Sequence, residues 1–344
     1  MYEKFYNLTG PPFLLTPDPR FFFSSINHKR AITHLVYGLE QREGFIVITG
    51  EVGAGKTMLV EQLWLQLNRA TYAMSKVVTT RVSGDDLLRL VMDGFGLNVV
   101  AGTEKAILLR RFENMVREQR AAGRRCLLVV DEVQNLSFAA LEELRMLSNI
   151  TVDGQASVQT VLLGQPQFRP ILASRDAEQL RQRVLASFHL GPLTEPETRL
   201  YIEHRLKTVG WADNPHWEDD AFDTVYRHTG GTPRRVNTLC SRLLQFGALE
   251  EWTTITAEMV DEMARDINDG LNGGKSPPAT NGAAAEPDFP DNGITAPDGQ
   301  NASMASGSSD LLHRIEALEE TTSRQGRIFQ RMVHLLAAVV EKVQ

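Results

Sequence analysis

Short apolar runs alternate with longer amphipathic stretches over the first two thirds of this chain. The runs have the length and composition of buried strands and lie at 45–49, 77–82, 126–130, 158–163 and, more briefly, 188–190. The stretches around them repeat apolar residues at helical spacing, at 27–41, 57–68, 85–95, 103–122 and 137–149. Strands that alternate with helices predict an α/β domain whose parallel sheet is covered by helices on both faces.

The pattern changes at residue 195, after which helical periods follow one another without a strand. The predicted helices lie at 195–209, 218–229, 233–250 and 256–268. Residues 1–25 are rich in proline and phenylalanine, which disfavours both a helix and a mobile tail and predicts an extended strap. We therefore expect a strap and helix packing on the α/β core (1–44), the α/β domain (45–193) and an all-helical domain (194–268).

The remainder of the chain has two unlike parts. Residues 270–309 consist mainly of Gly, Pro, Asn, Ser and Ala, which predicts a disordered linker spanning roughly 35 Å. Residues 310–344 carry an unbroken heptad seam at Leu311, Ile315, Leu318, Thr322, Gln325, Phe329, Met332, Leu336, Val339 and Val343. The seam predicts a helix that forms a coiled coil with itself or a partner, or that folds back onto the chain. A membrane-surface helix is disfavoured because its polar face has no basic cluster.

Composition and charge narrow the class of protein. The chain is 42% hydrophobic and 23% charged, with a formal net charge of −7, which is typical of a globular protein. Residues 1–269 hold 30 Lys and Arg against 34 Asp and Glu, and residues 270–344 hold 6 against 9. Neither part is basic, so nucleic-acid binding is not expected.

The two cysteines and the N-terminal sequence indicate the cellular compartment in which the protein is expected. Cys126 and Cys240 fall on a predicted buried strand and a predicted helix and are expected to be reduced and inert. The N-terminus lacks a basic segment followed by an apolar core, and no run of 18 apolar residues occurs. We expect no signal peptide and no transmembrane segment, hence a cytoplasmic protein.

A G-x-x-x-x-G-K-T motif follows the run at 45–49 directly. Its glycines let backbone N–H groups close around a phosphate, and the helix that follows adds partial positive charge. Lys56 is expected to reach the β- and γ-phosphates, and Thr57 to offer its hydroxyl to Mg²⁺. The predicted nucleotide-binding residues are Gly50, Glu51, Val52, Gly53, Ala54, Gly55, Lys56, Thr57 and Met58.

A second apolar run, 126–130, ends in the carboxylates Asp131 and Glu132. Asp131 is expected to hold Mg²⁺ opposite Thr57, and Glu132 to polarise the water that attacks the γ-phosphate. A solvated acidic pair that caps a strand is the alternative. Because a protein that only binds nucleotide would not need the second carboxylate, the pair predicts an ATPase with ATP and Mg²⁺ as ligands.

Three further polar positions follow both motifs. Gln165, after the run at 158–163, would sense the γ-phosphate, and Arg183 would stabilise the transition state from a neighbouring subunit. Arg234 starts a helix after Gly-Gly-Thr-Pro and would report the nucleotide state, although an isolated arginine is usually just solvated. In this order the features resemble the AAA+ ATPases, with a sensor-1 residue, an arginine finger and a helical lid carrying a sensor-2 motif.

Longer strings narrow the resemblance. PFLLTPDPRFFFSS, HKRAITHLVYGLEQREGFIVITGEVGAGKT, VVDEVQNLSFAALEELRMLSN and LLGQPQFRPIL look like ATPases of the general secretion pathway A-type family. They look most like its branch associated with exosortase (PEP-CTERM) and exopolysaccharide gene clusters. The resemblance, over about residues 1–267, implies an AAA+ P-loop NTPase fold, ATP hydrolysis and a role in envelope export. Homo-oligomerisation on ATP binding is expected as well.

The resemblance ends after the helical domain. The secretion-pathway relatives carry a transmembrane helix and a peptidoglycan-binding region there, whereas this chain has the predicted linker and heptad helix. We expect that helix to dock a membrane-system protein, which would place the chain peripherally at the inner membrane. A DNA-associated ATPase of the transposition target-selection kind, which the acidic charge disfavours, and a slow ATP-gated scaffold are the alternative functions.

We predict that residues 310–344 mediate association while residues 1–268 carry the ATP chemistry. Replacing Leu318 and Leu336 by Asp should abolish complex formation in the cell and leave ATP binding unchanged, because charge would be buried in the heptad seam. Co-precipitation and ATP-binding measurements on this variant, and on a chain ending at Asp269, check the prediction. Loss of ATP binding by the shortened chain would contradict it.

Overall fold

The computed structural model describes residues 2–78 and 82–272. The linker was predicted to begin at residue 270, but residues 270–272 are the end of a helix; the rest of the predicted linker and the predicted heptad helix (310–344) lie outside the described residues. Within the described part the chain forms an α/β domain, a helical domain and an N-terminal segment that contacts the helical domain.

The α/β domain contains one parallel sheet. Its strands are β1 (Phe45–Gly50), β2 (Tyr72–Val78), β3 (Arg125–Asp131), β4 (Thr151–Val152), β5 (Gln155–Ala156), β6 (Val158–Gly164) and β7 (Val184–Leu190). The parallel sheet has the order β2-β3-β6-β1-β7, and β4 pairs with β5 in a small hairpin. Because the five strands are parallel, the loops after the neighbouring inner strands β1, β3 and β6 emerge side by side at the carboxyl ends of the strands.

Helices cover both faces of this sheet, as predicted. They are α2 (Ile26–Gln41), α3 (Lys56–Gln66), α4 (Gly84–Gly94), α5 (Lys105–Ala121), α6 (Phe138–Ser148), α7 (Phe168–Ala173) and α8 (Glu178–Arg181), preceded by the single turn α1 (Tyr2–Phe5). Three of them begin at a serine whose hydroxyl oxygen accepts a backbone N–H of the first turn, namely Ser25, Ser83 and Ser137. The sequence predicted the ends of α2 to α6 within two residues but missed the short helices α1, α7 and α8.

The strand β3 divides the core between the two faces of the sheet. Leu127 and Val129 pack with α2 and α3, whereas Leu128 and Val130 pack with α4, α5 and α6. All four side chains are at most 2% exposed. The near-continuous apolar run follows from burial on both faces, which is the usual situation of a central parallel strand.

The two edge strands differ from the sequence expectation. The predicted strand 77–82 overlaps β2 (Tyr72–Val78) at two residues, β2 begins five residues earlier than expected, and residues 79–81 lie outside the described residues. The predicted strand 188–190 is the end of the longer β7, Val184–Leu190. Both strands are half-exposed, with polar residues such as Lys76 and Ser187 among the apolar ones. Edge strands need little apolar surface, so the apolar run that marks a central strand is absent.

The helical domain, called the lid below, follows β7. It consists of α9 (Glu195–Thr208), α10 (Asp219–Thr229), α11 (Pro233–Leu249) and α12 (Ala257–Asn272). The expectation of a lid without strands is wrong, since β8 (His216–Trp217) pairs with β9 (Thr254–Ile255). Two-residue strands are too short to leave a period-2 pattern in the sequence.

Most of the strap packs on the lid, whereas we expected it on the α/β core; only Phe22 and the helix α2 pack on that core as expected. Tyr6, Phe13 and Phe21 are buried in the lid's apolar cluster. Arg205 of α9, itself 6% exposed, donates from Nε to the Pro12 carbonyl at 2.6 Å and from Nη1 to the Tyr201 hydroxyl at 2.8 Å. Its guanidinium also lies 4.7 Å from the centre of the Phe21 ring. The strap thus gains its order from one buried cation and its aromatic neighbours.

We predict that Arg205→Met lowers the free energy of unfolding by about 2–4 kcal/mol, because the strap carbonyl and the Tyr201 hydroxyl lose a buried charged donor. Denaturant unfolding of the full chain measures it. Arg199→Met is the matched control, since Arg199 lies on the same helix with its side chain 45% exposed. Its substitution should cost less than about 1 kcal/mol. Equal losses in the two variants would show that Arg205 does not hold the strap.

Candidate functional site

The phosphate loop, residues 50–57, turns back between β1 and α3. Gly53 and Gly55 have φ of +81° and +99°, a left-handed conformation that favours glycine. Space imposes the same choice, because a Cβ on Gly55 would lie 2.8 Å from His28 Nε2 and one on Gly53 would overlap Arg234 Cβ. The glycines of the motif are therefore needed both for the turn and for the close approach of neighbouring elements.

The ammonium of Lys56 lies inside this loop. Its Nζ donates to the carbonyls of Gly50 at 2.7 Å and Glu51 at 3.0 Å, and the residue is 6% exposed. Burial lowers the pKa of Lys56, while the carboxylates of Glu132 and Asp131 oppose that shift. The loop therefore already holds a positive charge among backbone groups at the start of α3, which is the arrangement that an anionic phosphate requires.

The two predicted magnesium ligands are in contact. Thr57 Oγ1 donates to Asp131 Oδ2 at 2.9 Å, and the Glu132 N–H donates to Asp131 Oδ1 at 2.9 Å. Asp131 is 4% exposed. A hydroxyl and a carboxylate are the hard oxygen ligands that suit Mg²⁺, which usually keeps water and substrate phosphates as its other ligands. The residues present therefore fit a nucleotide-bound Mg²⁺.

The Glu132 carboxylate is held by two amides. Its backbone has a left-handed φ of +55°, and its Oε2 accepts from Gln165 Nε2 at 3.0 Å and from Gln134 Nε2 at 2.5 Å. Gln134 Oε1 accepts in turn from the backbone N–H of Gln165 at 2.9 Å. These hydrogen bonds fix the orientation of the carboxylate. Sequence reasoning missed Gln134, whose only signal is its place two residues after Glu132.

The lid contacts the phosphate loop through the start of α11. The Arg234 backbone N–H donates to the Gly53 carbonyl at 3.2 Å, and the Leu193 N–H donates to the Gly231 carbonyl at 2.9 Å. The left-handed Gly231 permits this second contact, because a Cβ there would collide with the Leu193 carbonyl. The structure thus places Arg234 directly against the loop, on the lid side.

A cavity of about 340 Å³ lies between the phosphate loop, the strap and the lid. The strap contributes Phe22 and Phe23, and the lid contributes Tyr201, Arg205 and Asn237. The predicted nucleotide-binding residues that line it are Val52, Gly53, Gly55, Lys56, Thr57, Met58 and Arg234, and Glu132 joins them. Gly50, Glu51 and Ala54 shape the loop behind it. Aromatic surface with a few convergent polar groups is typical of a small-molecule site.

Arg183 lies away from this cavity. Its carbonyl accepts from the Phe45 N–H at 2.9 Å, at the beginning of β1, whereas the phosphate loop follows the end of β1. Its side chain donates from Nη1 to Ser148 Oγ at 3.1 Å. The structure therefore places Arg183 at the amino ends of the parallel strands. It brings six other predicted residues together at their carboxyl ends: Lys56, Thr57, Asp131, Glu132, Gln165 and Arg234.

Other kinds of site find little support among the described residues. Cys126 and Cys240 are buried and unpaired, and burial raises the pKa of Cys126 to about 12, as expected for inert thiols. No group of three His, Cys, Asp or Glu side chains in the described part could hold a metal ion. None of the helices in that part is both long and apolar enough to span a bilayer.

Known proteins resemble this chain at the level of domain and sequence. Residues 39–172 match the AAA domain family. Over 247 residues, the chain is 36% identical to the general secretion pathway protein A of Aeromonas hydrophila. The match covers 71% of this chain and 44% of that protein, so this chain corresponds to less than half of its relative.

Solved structures share the fold. The ORC2 protein of Aeropyrum pernix, in ADPNP and ADP complexes, has a TM-score of 0.53 and 16% identity over 70% of this chain and 66% of its own. Drosophila ORC bound to DNA has a TM-score of 0.58 and 15% identity over 76% of this chain and 66% of its own. Identities this low show the fold alone. The predicted P-loop NTPase core, a parallel sheet between helices as in AAA+ proteins, is confirmed.

Proposed function

We propose, for a chain that carries an AAA domain in an AAA+ fold, that it binds ATP with Mg²⁺ and hydrolyses the γ-phosphate bond. The observation that carries the proposal is that the loops after β1, β3 and β6 meet at the carboxyl ends of these strands. There the buried Lys56 ammonium, the hydrogen-bonded Thr57–Asp131 pair and the Glu132 carboxylate surround one cavity. These groups have separate chemical tasks in phosphoryl transfer.

Each task follows from the position of the group. Backbone N–H groups of the phosphate loop and Lys56 bind the phosphates, and Thr57 with Asp131 holds Mg²⁺, which neutralises charge on the phosphate oxygens. Glu132 accepts the proton of the attacking water. Gln134 and Gln165 hold Oε2 in place, and the other carboxylate oxygen, Oε1, takes the hydrogen bond from that water. Gln165 thereby links the γ-phosphate site to the general base.

We propose that this ATPase serves an envelope secretion system, of the exosortase-associated exopolysaccharide kind, as motor or switch. The 36% identity to general secretion pathway protein A supports the broader part of this proposal. Residues 310–344 would dock a membrane-system protein and hold the chain at the inner membrane. DNA is not proposed as a ligand, because Asp and Glu outnumber Lys and Arg in both parts of the chain.

We also propose that the protein forms a homo-oligomer on ATP binding, in which Arg183 enters the neighbouring site. Arg183 contacts the amino end of β1, whereas the phosphate loop of the same chain follows the carboxyl end of β1. This separation from its own phosphate loop supports a role in the site of another subunit. A guanidinium there would stabilise the charge that develops in phosphoryl transfer.

Two variants separate binding from turnover. Lys56→Ala should abolish ATP binding or weaken it by about a hundredfold or more, because a charged donor to phosphate is lost. Glu132→Gln should bind ATP and lower turnover at least about a hundredfold, because the base is lost. Calorimetry and phosphate release measure the two effects. Glu142→Gln, on the exposed side of α6, is the matched control. Near-normal turnover by Glu132→Gln would overturn the assignment of the base.

Mixing variants tests the neighbouring-site role of Arg183. Arg183→Ala and Lys56→Ala proteins should each be inactive alone and recover part of the activity when mixed, because shared sites combine intact residues from two subunits. Specific activity of the unmodified protein should rise with protein concentration. Arg181→Ala, whose side chain is 48% exposed, should behave like the unmodified chain. Concentration-independent activity without recovery on mixing would assign Arg183 a role within its own subunit.

A further inference from the structure

His28 contacts the phosphate loop from outside the sequence motifs. It is the third residue of α2, it is 5% exposed, and its Nε2 lies 2.8 Å from the point that a Cβ on Gly55 would occupy. The edge of the Phe22 ring packs on the imidazole, with ring centres 5.7 Å apart. The ring is therefore fixed in place, with one nitrogen toward the loop.

The contact with Ser25 favours one tautomer of the imidazole. Ser25 Oγ accepts the His28 backbone N–H at 3.2 Å and lies 2.7 Å from His28 Nδ1. We assign the hydroxyl proton of Ser25 to the bond with Nδ1, so that Nδ1 accepts and Nε2 carries the hydrogen of the neutral ring. Burial lowers the pKa of His28 to about 4, and the Glu197 carboxylate only partly offsets this. The neutral imidazole thus presents an N–H at Nε2.

The His28 side chain lines the cavity beside the phosphate loop. Residues 2–78 and 82–272 supply no hydrogen-bond acceptor for Nε2, and His28 lines the cavity together with Gly55, Lys56 and Thr57. Donors on side chains this buried are nearly always bonded to protein, water or ligand. A ligand that enters the cavity therefore meets a fixed, uncharged donor beside the phosphate loop.

The same turn of α2 is bonded to the lid. Glu197, in the first turn of α9, accepts the Ile26 N–H at 2.7 Å through Oε1 and the Thr194 N–H at 3.1 Å through Oε2. Glu197 is 7% exposed. One buried carboxylate therefore caps the start of α9 and also binds the start of α2, two residues before His28. A displacement of α2 near His28 must be transmitted to α9.

We propose that His28 is a nucleotide-binding residue, whose Nε2–H donates to an oxygen of the bound nucleotide and which couples nucleotide occupancy to the lid through Glu197. The inference rests on the proposed binding of ATP but not on its hydrolysis. Its position beside Gly55 favours a phosphate oxygen as the acceptor, and a ribose hydroxyl offers the same chemistry. His28 acts at the binding step, because a neutral Nε2–H can donate to an oxygen of the nucleotide but cannot take a proton from water.

Calorimetric titration of the full chain with ADP tests the contact. His28→Phe keeps the ring and removes the donor, and should weaken ADP binding about tenfold to a hundredfold, the usual effect of losing a hydrogen bond to a charged group. His28→Gln keeps an N–H donor and should recover part of the affinity. His34→Phe is the matched control, since His34 lies on the same helix with its ring 5.2 Å from Phe188. ADP affinity of His28→Phe within twofold of the unmodified chain would overturn the proposal.

Substrate analogues identify the acceptor. If it is a phosphate oxygen, 2′-deoxy-ADP and 3′-deoxy-ADP should show the same loss as ADP on His28→Phe. If it is a ribose hydroxyl, one of them should already bind weakly to the unmodified chain and lose nothing further. Proton–nitrogen NMR of the unmodified chain should place the hydrogen on Nε2 and show its resonance shifting with ADP. An unshifted resonance would contradict the contact even if the variants were unstable.

Hydrogen exchange tests the coupling to the lid. ADP at saturation should protect the backbone amides of 195–198 in the unmodified chain and fail to do so in His28→Phe. Protection that is equal in both would overturn the coupling and leave the contact. The hydrolysis proposal fails separately: a chain that binds ADP through His28 without releasing phosphate from ATP would refute only the ATPase.

Discussion

The parallel pairing of β1 with β6 and of β6 with β3 is the constraint on which the site depends. Thr49 pairs with Gly164, and Val130 pairs with Leu162. This register brings the ends of three strands, at Gly50, Asp131 and Gly164, to the same level. The Thr57–Asp131 hydrogen bond and the Gln165–Glu132 hydrogen bond both join side chains from different loops. A shift in register would separate them without changing any motif.

The lid and the strap complete a cavity that the α/β domain only begins. Arg205 fixes the strap to the lid through the Pro12 carbonyl and the Tyr201 hydroxyl, and Glu197 fixes α2 to the lid. Arg234 touches the loop itself. Buried charges with several hydrogen bonds tolerate few alternative geometries. The lid is therefore attached to the nucleotide cavity at distinct points that need not respond together.

Sequence reasoning found the parts of the site that are coded locally. The phosphate loop and the acidic pair are short motifs next to apolar runs, so spacing alone located Lys56 and Glu132. His28 and Arg205 have no such signal, because their roles arise from contacts with residues far away in the chain. The edge strands were misplaced for a related reason: half-exposed positions carry little pattern. Helix ends were predicted well where a serine cap marks them.

The clamp on Glu132 fixes how its carboxylate is oriented. Oε2 accepts from both Gln134 and Gln165, so rotation of the group about its last bond would cost two hydrogen bonds. If Glu132 is the proposed base, the direction from which it can reach a water is set by two amides outside the acidic pair. A partner that displaced either glutamine would then reorient the base without touching it.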